Sequence, residues 1–345
     1  MDLVNITDVA KAAGVSLATV SRVIRNQDCV RPETRDKVLQ VIQELDYRPN
    51  ILARQLRTQE TKVVIVIIPD IGNSFFHEIL MGIESEAEKN GYQVLIADMH
   101  NEPAIEKHYF HAIQQRQVDG IISLSASIAQ GIIRQAAGEY PIVVAVQYLN
   151  DPGIPNITID NVAAARTMVE HLLKMGHRKI AHISGPPESP IYRDRFNGYI
   201  SALEKQGIPV DLKLVRYTEP SITGGREQME SLLAAEPELT AVFAAGDTMA
   251  IGAMKALKRA GRRVPEDCAV AGFDDIEISS AWEPALTTIR QPKFRMGEEA
   301  FLKLMKLMQR EPLQNPQQVL PYELVIRESC GYELFQRQKN RGQNQ

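Results

Sequence analysis

From Lys62 onward the chain alternates short β-branched apolar runs with amphipathic helical stretches, and it does so twice. KVVIVIIPD (62–70) reads as a buried, parallel-type strand ended by a proline, HEILMGIESEAEKNGY as a helix closed by a glycine, and QVLIAD as the next strand. The rhythm continues with a helix over 104–116, the strand DGIISLS, a helix over 127–138 and the strand IVVAV. After NITIDN (156–161) a second set begins, with helices over 162–175, 192–206, 224–235 and 247–260. Its strands are RKIAHISG, a run near 212–217, TAVFAAG, CAVAGFD and LTTIRQ. KVVIVIIPD…MGIESEAEKNGYQV echoes KIAHISGPP…NGYISALEKQGIPV: strand, loop, helix with an internal glycine, Lys-x-Gly, new strand. Such alternation builds parallel sheets with helices on both faces, and its duplication implies two lobes with a ligand cleft where strand C-terminal ends meet. The helix MGEEAFLKLMKLMQ and the strand PYELVIRES complete the body, and the polar stretch after Gly331 reads as a frayed tail.

The first 47 residues follow another rule. Residues 5–25, NITDVAKAAGVSLATVSRVIR, read as two short helices folded back on each other, with Thr7 and Ser16 as caps and Gly14 in the turn. Val20, Val23 and Ile24 point inward, which leaves Leu17, Ala18, Ser21, Arg22 and Arg25 facing out, as on a helix that reads a major groove. Pro32 opens a third helix with Val38, Val41, Ile42 and Leu45 as its buried stripe. In RPNILARQLRTQETK (48–62), Asn50 caps a short helix whose Arg54, Leu56 and Arg57 suit a segment that wedges into a minor groove. Net charge is −4 overall, but residues 1–62 carry ten Lys/Arg against eight Asp/Glu, so the head is the basic end.

The expected architecture is therefore a small all-α helix-turn-helix head (1–47), a linker helix (48–61) and a two-lobed α/β domain with parallel sheets (62–330). Its N-lobe takes in about 62–160 and 290–320, its C-lobe about 161–289 and 321–330, and 331–345 is a disordered tail. Three scattered cysteines exclude a disulfide framework and suit a reducing cytosol. No signal peptide opens the chain and no apolar run is long enough to span a bilayer, so a cytoplasmic protein without membrane attachment is expected.

Catalytic patterns are missing: no nucleophile elbow, no phosphate-binding loop, no dinucleotide fingerprint. His108 and His111 near Glu106 lack a third ligand and read as a solvated helix face, so neither metal nor cofactor is expected. The strand-end loops are richer. They carry Asn73, Phe75, Phe76, Ser125, Gln147, Arg195, Asp247 and Asp274, a set suited to a polyhydroxylated ligand: carboxylates accept from hydroxyls, the guanidinium donates, a phenyl ring covers an apolar face. Individually, Asp247 could instead cap its helix, and Arg195 could pair with Asp194 or Asp274.

In order and spacing, DVAKAAGVSLATVSRVI, RPNILARQL, ITIDN, GHRKIAHISGP, AVFAAGDTMAIGAM and VPEDCAVAGFDD…PALTTIRQP resemble the LacI/GalR family of bacterial transcriptional repressors. The resemblance implies a homodimer or tetramer on a pseudo-palindromic double-stranded operator, and an effector domain of periplasmic-binding-protein type without enzyme activity. It implies base reading by Leu17, Ala18 and Arg22 and phosphate contacts from Ser16, Thr19, Ser21, Asn26 and Thr34, with Thr7 in the DNA-contacting set. Linker contacts fall to Asn50, Ala53, Arg54 and Leu56. Within the family VVIVIIPDIGNSFFHEILMGIE and SGPPESPIYRDRFNGY resemble the cytidine repressor branch, with the purine repressor near. Ser189 and Gln147 stand where the purine repressor has an arginine and a tryptophan, which points to a nucleoside or pentose effector rather than a purine base. The competing class is a cytosolic ligand-binding protein that uses its head for protein contacts.

Overall fold

The computed structural model describes residues 4–24, 29–47, 60–100, 102, 109, 111–125, 133, 136–148 and 153–343. The chain divides into two compact units, residues 1–61 and 62–345. In the first, α1 (Ile6–Ala13), α2 (Leu17–Ile24) and α3 (Pro32–Glu44) enclose Val9, Ala13, Val20, Val23, Val38 and Val41, while Ile42 and Leu45 are only half-buried. Gly14 takes the left-handed conformation (φ 65°) that turns the chain between α1 and α2. The cap of α1 is Asn5, not Thr7: Asn5 Oδ1 accepts from the N–H groups of Thr7 and Asp8, and Asp8 Oδ2 accepts from Asn5 N–H at 3.0 Å. The reciprocal pair satisfies donors at both positions, which a threonine two residues later cannot do. Asn5→Ala is expected to lower head stability by about 1 kcal/mol, with the exposed Thr7→Ala near neutral, in thermal unfolding followed by circular dichroism.

The second unit holds two parallel sheets. Strands β1 (Val63–Ile68), β2 (Gln93–Asp98), β3 (Gly120–Ser123), β4 (Ile142–Ala145), β5 (Asn156–Ile159) and β11 (Gln317–Leu320) form one, in the order β11-β5-β4-β3-β1-β2. Strands β6 (Ile180–Ser184), β7 (Val215–Tyr217), β8 (Ala241–Ala244) and β9 (Ala269–Ala271) form the other, in the order β7-β6-β8-β9. Strands β10 (Thr288–Arg290) and β12 (Glu323–Val325) pair antiparallel in a small third sheet. The helices are α4 (Phe75–Lys89), α5 (Asn161–Lys174), α6 (Pro190–Lys205), α7 (Ile222–Ala235), α8 (Asp247–Arg259), α9 (Glu277–Ala281) and α10 (Lys293–Met308).

The duplicated motif has a packing cause. The internal glycines of the two echoing helices, Gly82 in α4 and Gly198 in α6, sit where another helix crosses too closely for a side chain. A Cβ on Gly82 would lie 2.0 Å from the Phe294 carbonyl of α10, and one on Gly198 2.4 Å from the Val162 carbonyl of α5. Both Lys-x-Gly repeats, at Gly91 and Gly207, end their helices with positive φ.

One strand went unread and one expectation fails. Strand β11 was not expected, because QQVL is short, half polar and half exposed; it adds to the sheet edge beside β5. The stretch after Gly331, expected as a frayed tail, is helix α11 (Tyr332–Gln343). Tyr332 anchors it against the core beside the His171 ring, and Glu333 and Arg337 pair one turn apart along it.

Candidate functional site: an interlobe cleft and a helical head

The C-terminal ends of strands from both parallel sheets open into one cleft of about 740 Å³. The N-lobe side comes from the loop after β1 (Asp70, Asn73), the start of α4 (Phe75, Phe76) and the ends of β3 (Ser125) and β4 (Gln147). Facing them are Glu188 and Ser189 after β6, Tyr192 and Arg195 on α6, Glu219 and Ser221 after β7, and Asp274 after β9. Parallel strands all finish at one edge of their sheet, so the loops that follow them meet there. Phe75 and Phe76 pack edge to face, with centroids 5.2 Å apart, and form an apolar wall.

Arg195 is the floor of the cleft. Its guanidinium is 2% exposed and donates in three directions: Nε to Asn161 Oδ1 (3.0 Å), Nη1 to the Ala245 carbonyl (2.6 Å) and Nη2 to Asp274 Oδ1 (3.0 Å). The guanidinium carbon lies 3.7 Å from the Phe273 ring centroid, a cation–π contact. Of the two pairings the sequence left open for Arg195, the structure makes the one with Asp274. Asp194 instead accepts from the Tyr148 hydroxyl at 2.8 Å, which ties α6 to the end of β4. Burial raises the Asp274 carboxyl above its usual range, and the Arg195 guanidinium is the strongest influence pulling it back. Asp274 is held at φ 108°, a conformation costly for any side chain, by Gln291 Nε2 on its carboxylate (2.7 Å) and Lys293 Nζ on its carbonyl (3.1 Å).

Seven of the eight candidates named from sequence line this cleft; Asp247 does not. It lies behind the cleft, 1% exposed, where its carboxylate accepts from Thr288 Oγ1 (2.6 Å), Ser279 Oγ (2.7 Å) and Ile276 N–H (2.9 Å). Burial, with the nearby charge of Asp274, pushes its carboxyl up to about 7 against those three donors. It joins the start of α8 to the segments after β9 and at β10. Glu188, Glu219 and Ser221 were missed among the ligand candidates, although each follows a strand of the second sheet, the same signal that picked out the others. Among the described residues no group of three His, Cys, Asp or Glu side chains is placed to hold a metal ion.

On the head, Leu17 is 48% exposed, and Ala18 and Arg22 stand out with it on one face of α2. Ser16 Oγ accepts from Thr19 N–H (3.2 Å) and shares a hydrogen bond with Thr19 Oγ1 (2.9 Å), so it caps α2 as expected. Thr19, Ser21 and Thr34 are half-buried and Thr7 is exposed. Asn26, Asn50, Ala53, Arg54 and Leu56 lie outside the described residues.

The head residues 5–50 match the family model "Bacterial regulatory proteins, lacI family", and residues 169–330 match a "Periplasmic binding protein-like domain". The transcriptional repressor CytR of Escherichia coli K12 is 37% identical over 323 residues, 93% of this chain and 95% of that protein. This chain belongs to the lacI family. It is a DNA-binding transcriptional regulator and not an enzyme. The ribose operon repressor of Halalkalibacterium halodurans is 35% identical over 95% of this chain and 97% of its own. Among solved structures, the lac repressor dimer bound to operator and an anti-inducer superposes with a TM-score of 0.84 at 30% identity, covering 95% of this chain and 99% of that one. A ribose-bound lacI-family regulator from Enterococcus faecium gives 0.69 at 28% identity over 77% and 98%. The family match of the head removes the reading in which it serves protein contacts. No helix among the described residues is long and apolar enough to cross a membrane.

Proposed function

We propose that this regulator represses transcription from a pseudo-palindromic operator as a homodimer or tetramer in the cytoplasm, and that a nucleoside or pentose in the interlobe cleft switches it. The observation that carries the reading is the cleft itself: carboxylates, hydroxyls and an amide facing a phenyl wall across two lobes. A ligand bridging the lobes binds one interlobe angle better than another, and operator and ligand are then coupled through a single free energy, typically ~1–3 kcal/mol. The ribose bound by the Enterococcus faecium relative and the likeness to a ribose operon repressor support a pentose-sized ligand.

On the head, Leu17, Ala18 and Arg22 are the base readers, Ser16, Thr19, Ser21, Asn26 and Thr34 touch phosphates, and Thr7 belongs to the DNA-contacting set. Linker residues Asn50, Ala53, Arg54 and Leu56 reach the central minor groove. Strand β2 favours a self-pair: it lies at a sheet edge, with Leu95 and Ile96 both about half exposed.

Arg22→Ala is expected to weaken operator binding by tenfold or more with ligand affinity unchanged. A fluorescence-anisotropy titration of labelled operator, paired with a thermal-shift panel of nucleosides and sugars, checks both. Unchanged operator affinity would remove Arg22 from the reading face, and a hexose-only response would replace the nucleoside or pentose.

A further inference from the structure

Among the described residues five charged side chains line the cleft, and four of them are acids: Asp70, Glu188, Glu219 and Asp274, against Arg195. Arg195 is a poor anion receptor: three of its five N–H donors go to Asp274, Asn161 and the Ala245 carbonyl, its charge faces the Asp274 carboxylate at 3.0 Å, and it is almost wholly buried. Asp70 accepts from Gly72 N–H, a turn contact that leaves its charge intact, and Glu188 and Glu219 are exposed at the opposite wall. None of these three acids is held in an ion pair among the described residues, so the cleft carries a net negative field.

A second observation concerns hydrogen-bond polarity. The amide oxygen of Gln147 and the hydroxyl of Ser189 line the same cleft, are nine-tenths buried and have no hydrogen-bond partner among the described residues. A buried acceptor left empty is costly, and a ligand donor that fills it recovers that cost. The Gln147 oxygen can only accept, so what it awaits is an O–H or N–H group.

We propose that the effector is a phosphate-free, donor-rich molecule that docks a hydroxyl or amine on Gln147 Oε1, and that the acidic lining excludes its phosphate ester. Charge and hydrogen-bond polarity select the same way. A dianionic phosphate brings acceptors to a site already rich in acceptors and negative charge, whereas a free sugar or nucleoside brings donors to it. The regulator therefore senses the free metabolite ahead of any kinase that phosphorylates it, or after a phosphatase that releases it. This inference rests on the cleft assignment above but not on the nucleoside or pentose choice.

The test is calorimetric titration of the full chain with matched pairs: each ribonucleoside and its 5′-monophosphate, ribose and ribose 5-phosphate, glucose and glucose 6-phosphate. The free member of the responding pair is expected to bind at least tenfold tighter. That gap should narrow between 50 and 500 mM salt, where screening is stronger, and again in Glu188→Gln/Glu219→Gln. Gln147→Leu is expected to raise the melting temperature of the unliganded protein, since it removes an unsatisfied polar group, while weakening the best ligand by tenfold or more. A phosphate ester that binds as tightly as its free partner overturns the proposal, as does Gln147→Leu with undiminished affinity. A response from the glucose pair alone, with glucose preferred, sustains this inference and removes the nucleoside or pentose reading. Silence from every pair overturns both.

Discussion

Replacing Arg195 with methionine is expected to cost about 3–5 kcal/mol of stability near neutral pH, the range for leaving a buried charge without its partner. The size follows from what Arg195 touches. It is the cation facing the Asp274 carboxylate, it fills the hydrogen bonds of Asn161 Oδ1 and the Ala245 carbonyl, and its plane covers the Phe273 ring. Methionine keeps the aliphatic stem and removes the guanidinium, and with it the three hydrogen bonds and the cation–π contact. The Asp274 carboxyl, already raised by burial, would rise further without its guanidinium. The native variant would then hold a proton that the unfolded chain releases, so its stability increases as pH falls, and the deficit against the parent should shrink between pH 7.5 and 5. Urea unfolding at several pH values reads this directly. Arg195→Met/Asp274→Asn should recover a large part of the loss, because the second change removes the stranded charge. A deficit that does not vary with pH and is not relieved by the double variant would mean that Arg195 acts through packing alone. Ligand affinity should be lost in both variants, since Asp274 and Arg195 shape the same floor.

The two lobes were legible because parallel strands announce themselves: VVIVII, IVVA and AVFA are apolar runs with no polar face, and a run of that kind can only be buried on both sides. The same logic located most of the cleft, since loops after such strands converge at one edge. It overlooked Glu188 and Glu219, whose loops were in view but whose carboxylates are unremarkable in sequence. Asp247 shows the opposite failure. It stands three residues after the last strand alanine of AVFAAGD, a position equivalent to that of other cleft residues, yet its carboxylate turns inward. The partners that turn it, Ser279 and Thr288, lie 32 and 41 residues further along the chain, beyond the reach of any local pattern. Helix α11 was misread for a related reason. Its composition is mostly polar after Phe335, and what fixes its start is Tyr332 packing against the core beside His171, a contact 161 residues distant in sequence.

Asp247 also sets the expected pH dependence of the whole effector domain. Burial, reinforced by the charge of Asp274, raises its carboxyl to about 7, while the unfolded chain has an ordinary carboxylate near 3.8. Between these values the native state binds a proton that the unfolded state does not, so stability is fully present below about pH 4 for this group and is lost as pH rises through 7. Taken alone, the group lowers stability by about 2–3 kcal/mol between pH 5 and pH 8. The three donors around it fit both protonation states: Thr288 and Ser279 hydroxyls can rotate to accept, whereas Ile276 N–H can only donate. Asp247→Asn preserves this geometry, with the amide oxygen on Ile276 N–H and the amide nitrogen donating to a hydroxyl. It cannot ionise. The variant should therefore match the parent at pH 5 within about 1 kcal/mol and exceed it at pH 8, with the slope between them flattened. Urea midpoints at half-unit pH steps would show it. A parent curve that is already flat over this interval would mean that the three hydrogen bonds hold Asp247 ionised despite its burial, and the network behind the cleft would then be a fixed anion supporting the Arg195 floor.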